Sequence, residues 1–124
     1  MSEAKRILAV DDDRIFLKIV EHDLTKNGFS VITAQSGEEG ILLAKTESPD
    51  LILLDIQMPN IEGGEVVEIL QESLQTQDIP IIFVTALLSK DEEIKRKNII
   101  GGHYFLSKPY KIEELLEKID KYLG

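Results

Sequence analysis

Three aspartates stand together at Asp11-Asp12-Asp13, and a fourth, Asp55, closes a run of four apolar residues. Thr85-Ala86 comes after a second apolar run, and Ser107-Lys108-Pro109 after a third. An aspartate of ordinary pKa, near ~3.9, is ionised at neutral pH and is nucleophilic without a general base. Gathered carboxylates repel one another: a pair ~4 Å apart at an effective dielectric of ~20 costs about 4 kcal/mol, an upper figure for a solvated cleft. Such a group must titrate abnormally or take a cation among its members. Oxygen ligands without His or Cys suit a hard divalent ion, and magnesium suits a site that also handles phosphate. The question is whether the chain brings these residues together.

The secondary structure that would hold them is written in the hydrophobic pattern. Ile7-Leu8-Ala9-Val10, Val31-Ile32-Thr33-Ala34, Leu51-Ile52-Leu53-Leu54, Ile81-Ile82-Phe83-Val84 and residues 103–106 read as short buried strands. Between them lie helical spacings. Residues 14–26 place Phe16, Ile19, Val20 and Leu24 on one face, with Gly28 as a stop. Ser36-Gly37-Glu38-Glu39 is a capping box opening a helix to about Lys45, although Gly40 is a poor helix former. Residues 64–75 carry Val66, Val67, Leu70 and Leu74 on one face, and Ser89-Lys90-Asp91-Glu92 caps a helix to about Asn98 before Gly101-Gly102. The last helix, 111–123, stripes Ile112, Leu115, Leu116, Ile119 and Leu123. Five β-α units whose strands are apolar on both faces predict an α/β, doubly wound (βα)5 fold of flavodoxin-like type, with a five-stranded parallel sheet in a single domain. Ligands of such folds bind beyond the carboxyl ends of the strands, where Asp11–Asp13, Asp55, Thr85 and Lys108 fall.

The 124 residues make one domain's length, and 43% hydrophobic with 30% charged residues fits a globular chain. Net charge is −9, with 16 acidic and 6 basic side chains before residue 86 and 7 and 8 after it. Direct nucleic-acid binding is disfavoured by that charge. No apolar run is long enough to span a membrane, the first six residues lack an apolar signal core, and there is no Cys. A cytoplasmic location is expected.

Asp11-Asp12, Asp55-Ile56-Gln57-Met58-Pro59 with Gly63 beyond it, Thr85-Ala86 and Lys108-Pro109 resemble, in order and approximate spacing, the receiver domain of bacterial response regulators. The resemblance runs over essentially the whole chain, 1–124. It implies a two-component phosphorelay protein that accepts a phosphoryl group on Asp55 from a sensor histidine kinase or histidine phosphotransfer protein. Asp11 and Asp12 then place Mg2+ (Mn2+ as substitute), Asp12 directly and Asp11 largely through water, with Asp55 and the Gln57 backbone carbonyl completing the set. Lys108 pairs first with Asp55 and then with a phosphoryl oxygen. Thr85 hydrogen-bonds another, and Ala86 leaves room. Thr85 and Phe105, three residues before the lysine, are the switch pair. Tyr104 should face the other way by strand alternation. Gln57 and Leu87 tune dephosphorylation, and an apolar Leu87 implies a long-lived phosphoryl state. Pro59, Gly63 and a cis Pro109 are structural. Output passes through the face of the fourth helix, fifth strand and last helix, to a protein target or to a second copy when phosphorylated; Lys95-Arg96-Lys97 there is a solvated helix face or a basic docking patch. Self-catalysed phosphorylation and dephosphorylation are implied, without the turnover of a usual enzyme.

Plainer roles compete. Asp13 suits a helix N-cap, Thr85 alone is a β-branched strand residue, and Lys108 alone is a solvated charge. His22 and His103 lack a partner at ligand spacing. Asp11-x-Asp13 resembles the nucleophile motif of haloacid-dehalogenase-type phosphatases, but no acid lies between Glu93 and Glu113 to serve as their late metal pair. A flavodoxin-like nucleotide or flavin binder needs amides and hydroxyls after strand one, where this chain has three acids. A degenerate receiver, working as a constitutive binding module, would lack some of the named residues. The chain ends where the last helix should end, so no DNA-binding or catalytic output domain is expected within it; a stand-alone regulator and a piece of a longer protein both fit.

Overall fold

A computed structural model describes residues 4–58, 63–86 and 103–124, and the backbone of 99–100. The elements are β1 (Arg6–Val10), α1 (Arg14–Lys26), β2 (Ser30–Ala34), α2 (Gly37–Glu47), β3 (Leu51–Leu54), α3 (Gly63–Gln71), β4 (Ile81–Thr85), β5 (Ile99–Ile100), β6 (His103–Ser107) and α4 (Ile112–Leu123). The sheet order is β2-β1-β3-β4-β6-β5. Five strands are parallel, as expected, and the two-residue β5 is added antiparallel to β6 at the edge. The hydrophobic pattern does not predict β5, because two residues are too few to show alternation.

Side chains alternate across the sheet and build two cores. Leu8, Val10, Ile52, Leu54, Ile81, Phe83 and Phe105 face α2 and α3. Ile7, Ala9, Leu51, Leu53, Ile82, Val84 and Leu106 face α1 and α4. Every residue of β3 and β4 is buried, which is why these strands read as unbroken apolar runs. Each fully buried Leu or Ile contributes about 1.5–3 kcal/mol, so the strands are held firmly enough to fix the residues at their carboxyl ends.

The helices match the pattern with local differences. Helix α1 buries Leu17, Val20 and Leu24, while Ile19 is 51% exposed; the buried stripe is turned by about one residue from the expected one. Helix α3 ends at Gln71, short of 75, and Leu74 is 88% exposed. There the buried Thr76 hydroxyl donates to the Leu70 carbonyl at 2.6 Å and draws the chain into turns. Ser36 caps α2 by accepting from the Glu39 N–H, but Glu39 returns its bond to the Gln35 N–H, one residue before the cap. A Cβ on Gly40 would lie 2.8 Å from Val10 Cγ2. The unfavourable helix residue is there because α2 crosses closely over the end of β1. In α4, Leu115 and Ile119 are buried and Ile112, Leu116 and Leu123 partly so. The helix expected over 89–98, with Lys95-Arg96-Lys97, lies outside the described residues.

Candidate functional site

Asp11 and Asp55 continue adjacent parallel strands. The Asp11 N–H donates to the Ala34 carbonyl at 3.0 Å, and the Asp55 N–H to the Val10 carbonyl at 3.1 Å. With Val10 opposite Leu54 in the register, the two carboxylates stand side by side. Asp11 is 1% exposed and Asp55 8%, while Asp12 lies on the exposed rim. One carboxylate oxygen from each of Asp11, Asp12 and Asp55 lies within 4.8 Å of the others, so the three could hold a metal ion. Asp13 is the N-cap of α1, accepting from the Ile15 and Phe16 N–H groups at 3.0 and 3.2 Å.

Lys108 enters from the far side. Its backbone N–H donates to the Thr85 carbonyl at 2.9 Å, tying it to the end of β4, and its peptide bond to Pro109 is cis. The ammonium donates to Asp11 Oδ2 at 2.5 Å and stands 3.5 Å from Asp55 Oδ2. The lysine is thus paired with Asp55, as expected, and with Asp11 as well, to which its hydrogen bond goes. Asp11 is the more deeply buried carboxylate and the costlier to leave uncompensated. One Asp55 oxygen already accepts from the Gln57 N–H at 3.2 Å. Burial raises the Asp11 pKa above its ordinary value, the Asp55 charge pushes the same way, and the Lys108 and Asp13 hydrogen bonds oppose both.

The remaining expected residues are spread between rim and interior. Gln57 is exposed at the rim and Met58 is buried. The amide of Gly63 donates to the Ile56 carbonyl at 2.8 Å, and a Cβ there would lie 2.7 Å from the Asp55 carbonyl oxygen. Glycine is needed because α3 starts in contact with the Asp55 backbone. Thr85 is fully buried opposite Ser107 in the register, and Ala86 is exposed. Phe105 is fully buried with Phe83 and Val66, and Tyr104 points to the opposite face, its ring edge-on to Tyr122 at 5.3 Å. Leu87 and Pro59 lie outside the described residues. His22 is exposed on α1, and His103 sets its ring edge-on to Phe83 at 5.8 Å.

Two aromatic residues that the motifs do not include stand beside Lys108. The ammonium lies 4.1 Å from the Phe16 ring centroid, and Phe16 meets Tyr110 edge-on at 6.1 Å. The Tyr110 hydroxyl donates to Asp23 at 2.8 Å. Helical spacing alone makes Phe16 a core residue. The signal that could have found it is position: a residue three past an N-cap, where that cap comes just after a strand, lies near the strand's end.

The match to known proteins agrees with this arrangement. The family model for the response regulator receiver domain matches residues 7–120. The polar-differentiation response regulator DivK of Brucella ovis is 36% identical over 121 residues, covering 97% of each chain. The structure of the chemotaxis protein CheY4 of Vibrio cholerae superposes with a TM-score of 0.83 at 31% identity, over 97% of this chain and 99% of that one. A CheY-like receiver domain protein from Methanospirillum hungatei gives 0.80 at 32% identity, over 96% and 93%. The acidic crevice at the carboxyl edge of a doubly wound sheet is thus that of a signalling domain. The chain belongs to the response regulator receiver domain family of two-component systems.

Proposed function

We propose that Asp55 is the phosphoacceptor of this receiver. An Asp55 carboxylate oxygen attacks the phosphorus of a phosphohistidine on a sensor histidine kinase or phosphotransfer protein, or of a small acyl phosphate. The bond to the donor atom breaks, the donor leaves with that electron pair, and Asp55 becomes an acyl phosphate. The observation that carries this reading is the convergence of Asp55, Asp11 and Lys108, with Lys108 Nζ 2.5 Å from Asp11 and 3.5 Å from Asp55. Lys108 neutralises charge on the transferring group, Thr85 donates to a phosphoryl oxygen, and Ala86 keeps the entrance clear. Asp11, Asp12, Asp55 and the Gln57 carbonyl would hold Mg2+, or Mn2+ in its place, and the ion would neutralise the clustered carboxylates and the incoming phosphoryl oxygens. The all-oxygen donor set fits such an ion.

Gln57 and Leu87 set the lifetime of the acyl phosphate, and an apolar residue at position 87 favours a long one. Thr85 and Phe105 carry the change outward, and with Phe105 lacking a hydroxyl the response is one of packing. Output passes through the face of the helix expected over 89–98, β6 and α4, to a target protein or a second copy. The decisive measurement is intact mass after incubation with acetyl phosphate and magnesium. The protein should gain one phosphoryl group, Asp55→Asn should gain none, and the label should outlast free acetyl phosphate at the same pH. Labelling of Asp55→Asn to the level of the unaltered protein would move the acceptor elsewhere.

A further inference from the structure

We propose that Phe16 is a positioning residue that holds the Lys108 ammonium over the acidic crevice. This rests on Lys108 serving the phosphoryl transfer assigned above, and it adds the means by which the lysine is kept in place. Lysine is a point charge on a flexible stem and needs restraint to act in one geometry. Among the described residues, three groups surround its ammonium: Asp11 at 2.5 Å, Asp55 at 3.5 Å and the face of the Phe16 ring at 4.1 Å. Both carboxylates belong to the cluster that could hold a divalent ion. An ion there competes with the ammonium for Asp11 and Asp55, whereas the ring face is outside that competition. Its negative quadrupole attracts the ammonium whatever the carboxylates are doing.

The ring is itself restrained. Phe16 sits in the first turn of α1, whose start is fixed by Asp13. It meets the Tyr110 ring in a T-shaped contact, and the Tyr110 hydroxyl donates to Asp23 further along the same helix at 2.8 Å. Burial and the Asp23 carboxylate both raise the Tyr110 pKa, so that hydroxyl keeps its proton. Residues 108 to 110 are therefore clasped to α1 at two points, one aromatic and one polar.

The test compares Phe16→Leu, Phe16→Tyr, Lys108→Ala and the Phe16→Leu/Lys108→Ala pair. Two readouts are taken: the labelling rate with acetyl phosphate and magnesium, and the NMR shifts of the Lys108 ε-methylene. Loss of a partly desolvated cation–π contact should slow labelling by roughly three- to tenfold in Phe16→Leu. Phe16→Tyr, which keeps the ring, should restore it. Phe16→Leu should add nothing in the Lys108→Ala background. The ε-methylene should be shifted upfield by the ring in the unaltered protein and lose that shift in Phe16→Leu. Unchanged labelling in Phe16→Leu, or equal slowing with and without Lys108, would overturn the proposal. If the unaltered protein took no phosphoryl group, the phosphoacceptor reading would fail, while the methylene shift would still decide whether Phe16 holds the lysine.

Discussion

Asp11 carries the main electrostatic tension of the site, because it is nearly inaccessible yet must be ionised to bind a cation. Its pKa is raised by burial, so between the ordinary value of 3.8 and the raised one the folded protein binds more protons than the unfolded chain. Metal-free stability from this group therefore falls as pH rises through that window. Asp11→Asn should remove that component, flattening the pH dependence relative to the unaltered protein in urea titrations without divalent ions. The converse would hold for a divalent ion at this cluster, whose affinity should rise with pH over the same window. Aspartate positions are legible in the sequence because they come directly after apolar runs. The Lys108–Asp11 hydrogen bond is not, since spacing along a chain does not show which of two neighbouring carboxylates is the more deeply buried. Phe16 is likewise hidden, because an aromatic at helical spacing looks the same whether it packs on a core or on a cation.

At the scale of elements, the site depends on how closely helices can approach the strand ends. Gly63 lets α3 begin against the Asp55 backbone, whereas a Cβ on Gly64 would meet nothing within 4 Å. Gly63→Ala should cost about 1–3 kcal/mol through overpacking against backbone that cannot yield. Gly64→Ala should be neutral or stabilising by up to ~1 kcal/mol through helix propensity. Equilibrium urea unfolding of the pair distinguishes local contact from a general dislike of substitution at the start of α3. The strands are readable because burial on both faces makes them wholly apolar. The end of α3 is not, because Leu74 continues the helical spacing and the stop comes from Thr76 bonding back to Leu70, an interaction with no signature in hydrophobic period. Ile19 misleads in the same way: it keeps the spacing but faces outward beside Tyr110 and Ile112.

For the whole molecule, the parallel order brings residues 11, 55, 85 and 108 to one edge, and β6 and α4 pack together through Tyr104, Leu106, Leu115 and Ile119. Activation is proposed to be read on that second region. Beryllofluoride with magnesium, which mimics an acyl phosphate, should shift the protein toward a dimer in size-exclusion chromatography, and Asp55→Asn should abolish the shift. An unchanged elution volume on beryllofluoride addition, with the ligand shown to be bound, would assign output to a different protein instead of a second copy.

Asp11 and Asp55 are mounted on neighbouring strands joined by the Asp55 N–H to Val10 carbonyl bond, and strands in a sheet are spaced at roughly 4.7–4.9 Å. Their separation is thus gauged by the sheet itself, like the fixed jaw of a caliper. Asp12, out on the rim, is the sliding jaw. Were a cation held among the three, exchanging it for one of different radius should leave the mounting of the inner two unchanged and be absorbed at Asp12, the acid on the rim.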